Sequence, residues 1–173
     1  SNMSVSNGRI RAGVILGGTS SERAVSLRSG QAIYEALKSQ NIPVVKIDLR
    51  NSLGKALKKH KIRTAFLALH GKGGEDGVIQ RELERRKIAY TGSGPQGAYR
   101  AFDKALSKTI FKKHNISTPL GTVVTRRDYR RKLARFSFPV FSKPLADGSS
   151  IGVFQVTSLE DFIRNEKKIF GAQ

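Results

Sequence analysis

The 173-residue sequence contains no cysteine and no tryptophan, and only 13 of its residues are Asp or Glu. Without cysteine, disulfide bonds and cysteine-ligated metal sites are excluded, and this composition is typical of a cytoplasmic protein. No stretch approaches the roughly 20 apolar residues that a membrane-spanning helix needs, so no membrane association is expected. No signal-peptide pattern opens the chain, and Ser1-Asn2-Met3 is interpreted as a tag remnant before a start methionine.

Positive charge is in large excess. Thirty-two Lys and Arg residues leave a formal net charge of +19, and residues 104–135 contain ten basic side chains against the single acid Asp128. Nucleic-acid binding is the first interpretation of such an excess. A solvated helix face, a phosphate site and a surface meant for an acidic partner segment are the other interpretations. The basic residues are not interleaved with aromatic ones, which argues against a groove for single-stranded nucleic acid.

The first half of the chain alternates apolar runs with amphipathic stretches, which predicts an α/β fold with a doubly wound, largely parallel sheet. Strands are predicted at residues 10–16, 43–49, 64–69 and 88–91, and helices at 20–39, 53–60 and from the loop after residue 77 to about 86. Ligands of doubly wound folds bind beyond the carboxyl ends of the strands. Two glycine-rich loops are predicted at that edge.

A domain boundary is predicted near residues 95–102, which gives an α/β domain at 9–97 and a small α+β domain at 98–173. In the second domain, helices are predicted at 103–114, 128–135 and 158–170, and strands at 121–125, 139–143 and 151–156. The last two strands are expected to pair as a hairpin around a turn at 147–150. A sheet of about three strands would have an exposed edge.

Gly17-Gly18-Thr19-Ser20-Ser21-Glu22 joins the first predicted strand to its helix. Glycines there let the backbone approach a ligand, and a helix N-terminus offers N–H groups to an anion. The spacing of Thr19 and Glu22 is also that of a capping box, and from spacing alone the cap is favoured. The loop lacks the G-x-G-x-x-G pattern, so a dinucleotide site is not expected.

His70 ends the third predicted strand and is followed by a loop with four glycines in the seven residues 71–77. A simple connection does not need that many glycines, because each costs backbone entropy. A lone histidine is more often structural than catalytic. Its place at the strand end favours a ligand-facing role here.

Lys143 lies at a predicted strand end before the turn Asp147-Gly148-Ser149-Ser150. Backbone N–H groups and serine hydroxyls of such a turn can hold phosphate oxygens while a lysine neutralises their charge. The lysine precedes the glycine, so this is not a P-loop. An ordinary hairpin with an exposed lysine is the alternative.

Taken together and in this order, these motifs resemble the D-alanine–D-alanine ligases of the ATP-grasp superfamily over about residues 10–160. The resemblance also includes Tyr90-Thr91-Gly92-Ser93-Gly94 and Asp103-Lys104. It implies a Rossmann-like N-terminal domain that binds substrate, followed by a central ATP-grasp subdomain. The C-terminal ATP-grasp domain of such ligases is expected to lie beyond this sequence, so the 173 residues alone are expected to be inactive.

The resemblance also implies an activity and a set of site residues. ATP phosphorylates the first D-alanine, and the second attacks the acyl phosphate, a step in the synthesis of peptidoglycan precursors. Glu22 and Ser149 are the expected catalytic residues, and Glu22, Val25 and His70 are expected to bind substrate. The expected ATP-phosphate contacts are Lys104, Lys143, Gly148, Ser149 and Ser150. Ala24 and Leu145 depart from the usual motifs.

ATP and Mg²⁺ are the implied cofactors, and no metal ligand is assigned within this sequence, because those of the family are expected further along. A homodimer through the N-terminal domain is expected by analogy. Two alternatives stay open: a non-catalytic protein with this fold that binds a polyanion, and an ATP-grasp ligase for another amino or hydroxy acid.

Overall fold

In a computed structural model, residues 11–50, 53–148 and 150–171 are described, and the chain divides between Tyr99 and Arg100 into two compact units. The predicted start of the first strand at Ile10 and the tag interpretation of Ser1-Asn2-Met3 lie outside the described residues. No helix among those described is both long and apolar enough to cross a membrane.

The first unit contains a parallel sheet that helices cover on both faces. Its elements are β1 Ala12–Leu16, α1 Arg23–Ser39, β2 Val44–Asp48, α2 Leu53–Lys59, β3 Thr64–Leu67, α3 Val78–Arg85 and β4 Ala89–Tyr90. Helix α4, Pro95–Phe102, includes the division between Tyr99 and Arg100. The strand order is β2-β1-β3-β4, and every adjacent pair is parallel. This confirms the predicted doubly wound α/β fold.

Alternation along β1 explains why both faces are covered. All five of its residues are buried, because β1 lies between β2 and β3. Successive strand side chains point to opposite faces. Val14 and Leu16 therefore pack with residues of α1, including Ile33, while Ile15 belongs to the core formed with α2 and α3. The carboxyl ends of β1 and β3 consequently lie side by side.

The second unit contains α5 Lys104–Lys113, α6 Tyr129–Leu133, β5 Val140–Ser142, β6 Phe154–Val156 and α7 Leu159–Gly171. Strands β5 and β6 pair antiparallel, which confirms the predicted hairpin. Tyr129 and Phe162 stack with ring centroids 4.7 Å apart at the centre of the apolar core. These contacts hold α6 and α7 against the hairpin.

One prediction about the second half was wrong. Residues 121–125 form no strand, so the described part of the second unit has two strands rather than about three. Val124 packs on the apolar core, whereas Val123 is exposed and its carbonyl accepts a hydrogen bond from the Lys132 ammonium. The segment is thus anchored by a side chain instead of a neighbouring strand. Residues 95–102, near which the domain boundary is predicted, form α4.

Candidate functional site

Ser26 joins the carboxyl ends of β1 and β3. Its fully buried hydroxyl accepts a hydrogen bond from the Gly17 N–H at 2.8 Å and donates one to the Ala68 carbonyl at 2.6 Å. Both partners are backbone groups that would otherwise be buried without a partner in secondary structure, which is costly. The loop after β1 is therefore fixed against the loop after β3.

Glu22 and His70 are brought into one neighbourhood by Ser20. The Ser20 hydroxyl accepts from the Glu22 N–H at 3.2 Å and donates to the His70 carbonyl at 2.8 Å. Glu22 is 5% exposed, and its carboxylate lies beside Gly71, where an added Cβ would come within 2.7 Å of Oε2. A carboxylate and an imidazole thus flank the edge at which doubly wound folds bind ligands.

The capping-box prediction was wrong. Helix α1 begins at Arg23, and Glu22 itself occupies the cap position without a side-chain capping hydrogen bond. Ser20, rather than Thr19, supplies the hydroxyl that accepts the Glu22 N–H. The T-x-x-E spacing was misleading because the tie between Ser20 and the His70 backbone draws the chain into a turn and delays the start of the helix.

The His70 side chain is half-buried, and its Nε2 lies 3.2 Å from the Ser29 hydroxyl on α1. Val25, predicted to bind substrate, lies half-buried in the first turn of α1. His70, Glu22 and Val25 therefore all lie at the end of the sheet where β1, α1 and β3 meet.

The glycine-rich loop after His70 is held by its own acidic side chains. Glu75 accepts the Gly71 N–H at 2.7 Å, and Asp76 accepts the Gly73 N–H at 2.8 Å. Gln80 on α3 donates to the Gly74 carbonyl at 2.8 Å. The glycines thus form a hydrogen-bonded turn rather than a loose connection.

Arg23 and Asp48 form an ion pair next to the loop that follows β1. Arg23 donates two hydrogen bonds to the Asp48 carboxylate, at 2.9 and 2.6 Å, and a third to the Gly18 carbonyl at 3.0 Å. The hydrogen bonds from Arg23 to the Asp48 carboxylate lower the pKa of Asp48 to about 2. The pair ties the glycine turn after β1 to the end of β2.

In the second unit, the structure brings Lys104 to the predicted phosphate turn. The Lys104 ammonium donates to the Asp147 carbonyl at 2.8 Å, and its N–H donates to the Leu145 carbonyl at 3.0 Å. The Gly148 N–H bonds the Asp147 carboxylate at 2.9 Å. Ser150 is exposed and has a positive φ of 59°, whereas Ser149 lies outside the described residues.

Lys143 follows β5 and is exposed, with its ammonium 6.0 Å from the centre of the Phe141 ring. Phe141 is itself 62% exposed. The strand-end position of Lys143 is as the sequence predicts. A cationic side chain and an accessible aromatic ring therefore share the start of the loop that leads to Gly148.

Part of the basic segment 104–135 is neutralised within the unit. Lys132 pairs with Asp128 at 2.7 Å, and its hydrogen bond lowers the pKa of Asp128 to about 2. Arg126 lies 3.8 Å from Glu166 on α7. Two of the ten basic side chains, Lys132 and Arg126, are thus paired with an acidic side chain.

Sequence reasoning missed the serines that hold the site. Ser20 lies within the motif of residues 17–22, but no role is predicted for it, for Ser26 or for Ser29, because serine is also common in turns and on helix surfaces. The three-residue spacing of Ser26 and Ser29 places them on one helix face, which was the available signal. Their partners are backbone carbonyls and a ring nitrogen more than 40 positions away, which only the fold reveals.

No family model matches the sequence. The chain is 42% identical over 150 residues to a D-alanine–D-alanine ligase of Wolbachia pipientis wMel, a match that covers 87% of this chain and 48% of the relative. A solved D-alanine–D-alanine ligase from Bacillus anthracis is 35% identical with a TM-score of 0.83, and covers 94% of this chain and 54% of its own. The same ligase complexed with ATP gives a TM-score of 0.76 at 34% identity.

The chain spans about half the length of the curated relatives it matches, and it aligns with solved structures through nearly all of its residues. The relatives are named D-alanine–D-alanine ligases, the family that the motifs at both glycine-rich loops and at the turn after β5 resemble. The resemblance predicted from these motifs is thereby confirmed: this chain is a homologue of the D-alanine–D-alanine ligases.

Proposed function

We propose that this chain is the part of an ATP-dependent D-alanine–D-alanine ligase that binds the first D-alanine and the phosphates of ATP. The observation that carries the proposal is the junction of Glu22 and His70 through the Ser20 hydroxyl at the ends of β1 and β3. A buried carboxylate suits a substrate ammonium, because opposite charges attract strongly where water is excluded. His70 is then the group nearest the substrate's acyl carbon.

The second unit supplies groups that suit phosphate. ATP, when bound, supplies the phosphoryl group that activates a carboxylate. Lys104 is already held against the 147–148 turn, next to which lie Gly148, Ser150 and Lys143 as further N–H, hydroxyl and ammonium donors. Ser149 is assigned to the same set from the sequence alone. These donors fit phosphate oxygens. The described residues contain no group of three or more His, Asp or Glu side chains that could hold a metal ion, so we assign no Mg²⁺ ligand to them.

Binding of D-alanine to the ¹⁵N-labelled chain tests the first half of the proposal. D-Alanine is expected to shift the amide signals of Ser20, Glu22 and His70, and L-alanine to shift them less. Glu22→Gln is expected to weaken D-alanine binding at least about tenfold, because it removes a charge-assisted hydrogen bond. Glu35→Gln, an exposed change on the same helix, is the control. Equal affinity of wild type and Glu22→Gln would contradict the assignment.

ATP titration tests the second half. Lys104→Gln is expected to raise the dissociation constant for ATP about tenfold, because a charge-assisted contact to phosphate is lost. Lys113→Gln, in the last turn of the same helix, removes one positive charge elsewhere and controls for net charge. If both variants lose affinity equally, binding follows overall charge and the phosphate site is not at Lys104.

The charge of +19 favours one further candidate, a protein with this fold that binds a polyanion. Contacts from Lys and Arg to a polyanion give an affinity that falls steeply with salt. Retention on heparin above physiological salt would support this candidate, and elution below it would exclude it. A ligase whose first substrate is a different amino or hydroxy acid predicts no shift of these amide signals by D-alanine in the titration above. A cytoplasmic location and a homodimer through the first unit complete the proposal.

A further inference from the structure

Three serine hydroxyls from residues 20–29 hold the segment directly after β3, which carries His70. Ser26 donates to the Ala68 carbonyl at 2.6 Å, and Ser20 donates to the His70 carbonyl at 2.8 Å. Ser29 lies 3.2 Å from His70 Nε2. We call these three residues the serine clamp. Two of its contacts fix the backbone of the strand end, and only the third reaches a side chain.

The Ser29 contact acts on the imidazole ring of His70, whereas the contacts of Ser20 and Ser26 act only on the backbone. With the backbone fixed at residues 68 and 70, the imidazole can still rotate about its side-chain bonds and can carry its neutral proton on either nitrogen. A hydrogen bond to one ring nitrogen fixes the orientation of the ring, and it favours whichever tautomer bonds more strongly with the hydroxyl, which can donate or accept. Ser29 is one helical turn beyond Ser26 on α1, so the helix that fixes the strand also holds this hydroxyl in place.

We propose that Ser29 is the positioning residue of His70: it engages Nε2 and leaves Nδ1 as the ring nitrogen offered to the ligand. This inference rests on the proposed role of His70 in substrate binding. Ser29 does not itself touch the substrate. Its effect passes through the imidazole, whose two nitrogens differ in whether they donate or accept a hydrogen bond.

A purely structural role for Ser29 predicts a different outcome. Ser29 is half-buried, and its hydroxyl has one contact, whereas Ser26 is fully buried and has two. Removing the Ser29 hydroxyl is therefore expected to leave the fold of the first unit in place and to change the state of the His70 ring. The experiment therefore measures the tautomer ratio of the His70 ring and not the unfolding temperature.

The experiment is a ¹H–¹⁵N spectrum of the histidine rings in the full chain at about pH 8.5, where an ordinary histidine is neutral. His60 and His114 serve as internal references, and His70→Gln assigns the third ring. Ser29→Ala is expected to lower the ratio of the major to the minor His70 tautomer about fivefold. That ratio corresponds to about 1 kcal/mol, the net worth of an ordinary hydrogen bond.

Ser39→Ala is the matched control, because the Ser39 hydroxyl on the same helix bonds only its own turn, at Ala36. It is expected to leave the His70 ring signals unchanged. Ser29→Thr keeps a hydroxyl and is expected to restore the wild-type ratio. An unchanged tautomer ratio in Ser29→Ala would overturn the proposal, whether or not the chain binds D-alanine.

A D-alanine titration of the same samples separates this inference from the proposed function. If Ser29→Ala changes the tautomer ratio but D-alanine perturbs no His70 signal in the wild type, the tie between Ser29 and His70 stands and the substrate role fails. If D-alanine perturbs the ring equally in both proteins, Ser29 does not position His70 for the ligand, and the inference fails while the proposed function stands.

Discussion

Arg23 and Asp48 form a two-pronged ion pair in which Nη1 and Nη2 donate to the two carboxylate oxygens at 2.9 and 2.6 Å. Arg23 begins α1, and Asp48 ends β2, so the pair connects a helix to the neighbouring edge strand at the ligand-binding end of the sheet. Both side chains are half-buried. Arg23 also bonds the Gly18 carbonyl, which extends the connection to the loop that precedes Glu22.

This pair makes the stability of the first unit depend on acid. Hydrogen bonds from Arg23 lower the pKa of Asp48 from 3.8 to about 2, so its contribution is complete above pH 3.8 and is lost as the pH falls towards 2. Asp48→Asn is expected to lower the free energy of unfolding at pH 7 by on the order of 1 kcal/mol, since solvent screens a half-buried pair. Urea unfolding followed by circular dichroism measures it, and the difference from wild type is expected to vanish only below about pH 2.

Glu82→Gln is the comparison variant for this prediction. Hydrogen bonds from Arg85 and Arg86 lower the pKa of Glu82 to about 2 as well, but this cluster lies on the outer surface of α3, where the Arg85 side chain is 67% exposed. A surface pair contributes little. The loss at pH 7 is therefore expected to be smaller than for Asp48→Asn, and an equal or larger loss would contradict the structural role given to Arg23.

Gly30 lets α1 lie directly against β1. An added Cβ at this position would come within 2.5 Å of the Leu16 Cβ, closer than two carbons can approach. Gly30→Ala is expected to destabilise the first unit by about 1–3 kcal/mol despite the better helix propensity of alanine. Gly97→Ala in α4 is the control, because its Cβ would meet only the Ser93 Cβ, at 3.5 Å. It is expected to stabilise the protein by about 0.5–1 kcal/mol, and loss of stability in both variants would refute the close approach.

Ser26→Ala tests the tie between the ends of β1 and β3. The change leaves the Gly17 N–H and the Ala68 carbonyl without their shared hydroxyl in a fully buried place. An unsatisfied buried polar group costs about 1–3 kcal/mol, so a loss of that size is expected in urea unfolding. Ser39→Ala on the exposed end of the same helix is expected to change the free energy of unfolding by less than about 0.5 kcal/mol. Similar values for the two variants would show that the Ser26 hydroxyl does not join the strands.

The first unit was predictable because burial and periodicity agree along it. The apolar run at β1 and the amphipathic α1 each identify an element, and β3 lies beside β1 as parallel topology requires. Residues 121–125 misled because Val123 and Val124 have high strand propensity, which decides little when no neighbouring strand is available. Tertiary contacts, not local preference, determine the conformation there.

The charged residues of the candidate site could be predicted from the sequence, but the hydrogen bonds and the ion pair that hold them in place could not. Glu22 and Lys104 lie at the starts of helices in the structure, whereas the strand that His70 was predicted to end stops three residues before it, at Leu67. The serine clamp and the Arg23–Asp48 pair depend on which loops become neighbours, and that information is distributed over the whole sheet. The misassigned cap at Thr19 is one instance, since the Ser20 hydroxyl bonds a carbonyl 50 residues away.

Gly71, the first residue of the loop after His70, lies against the Glu22 carboxylate. Substituting this glycine therefore tests the candidate substrate site. Gly71 and Gly73 both have positive φ angles, of 70° and 86°, so alanine is strained at either position. Only at Gly71 would the new Cβ meet a site residue, 2.7 Å from Glu22 Oε2, whereas at Gly73 nothing lies within 4 Å. Gly71→Ala must therefore displace the carboxylate. We expect it to weaken D-alanine binding at least about tenfold more than Gly73→Ala in parallel NMR titrations, the loss of one charge-assisted contact. Equal affinities would mean that Glu22 does not hold the substrate ammonium.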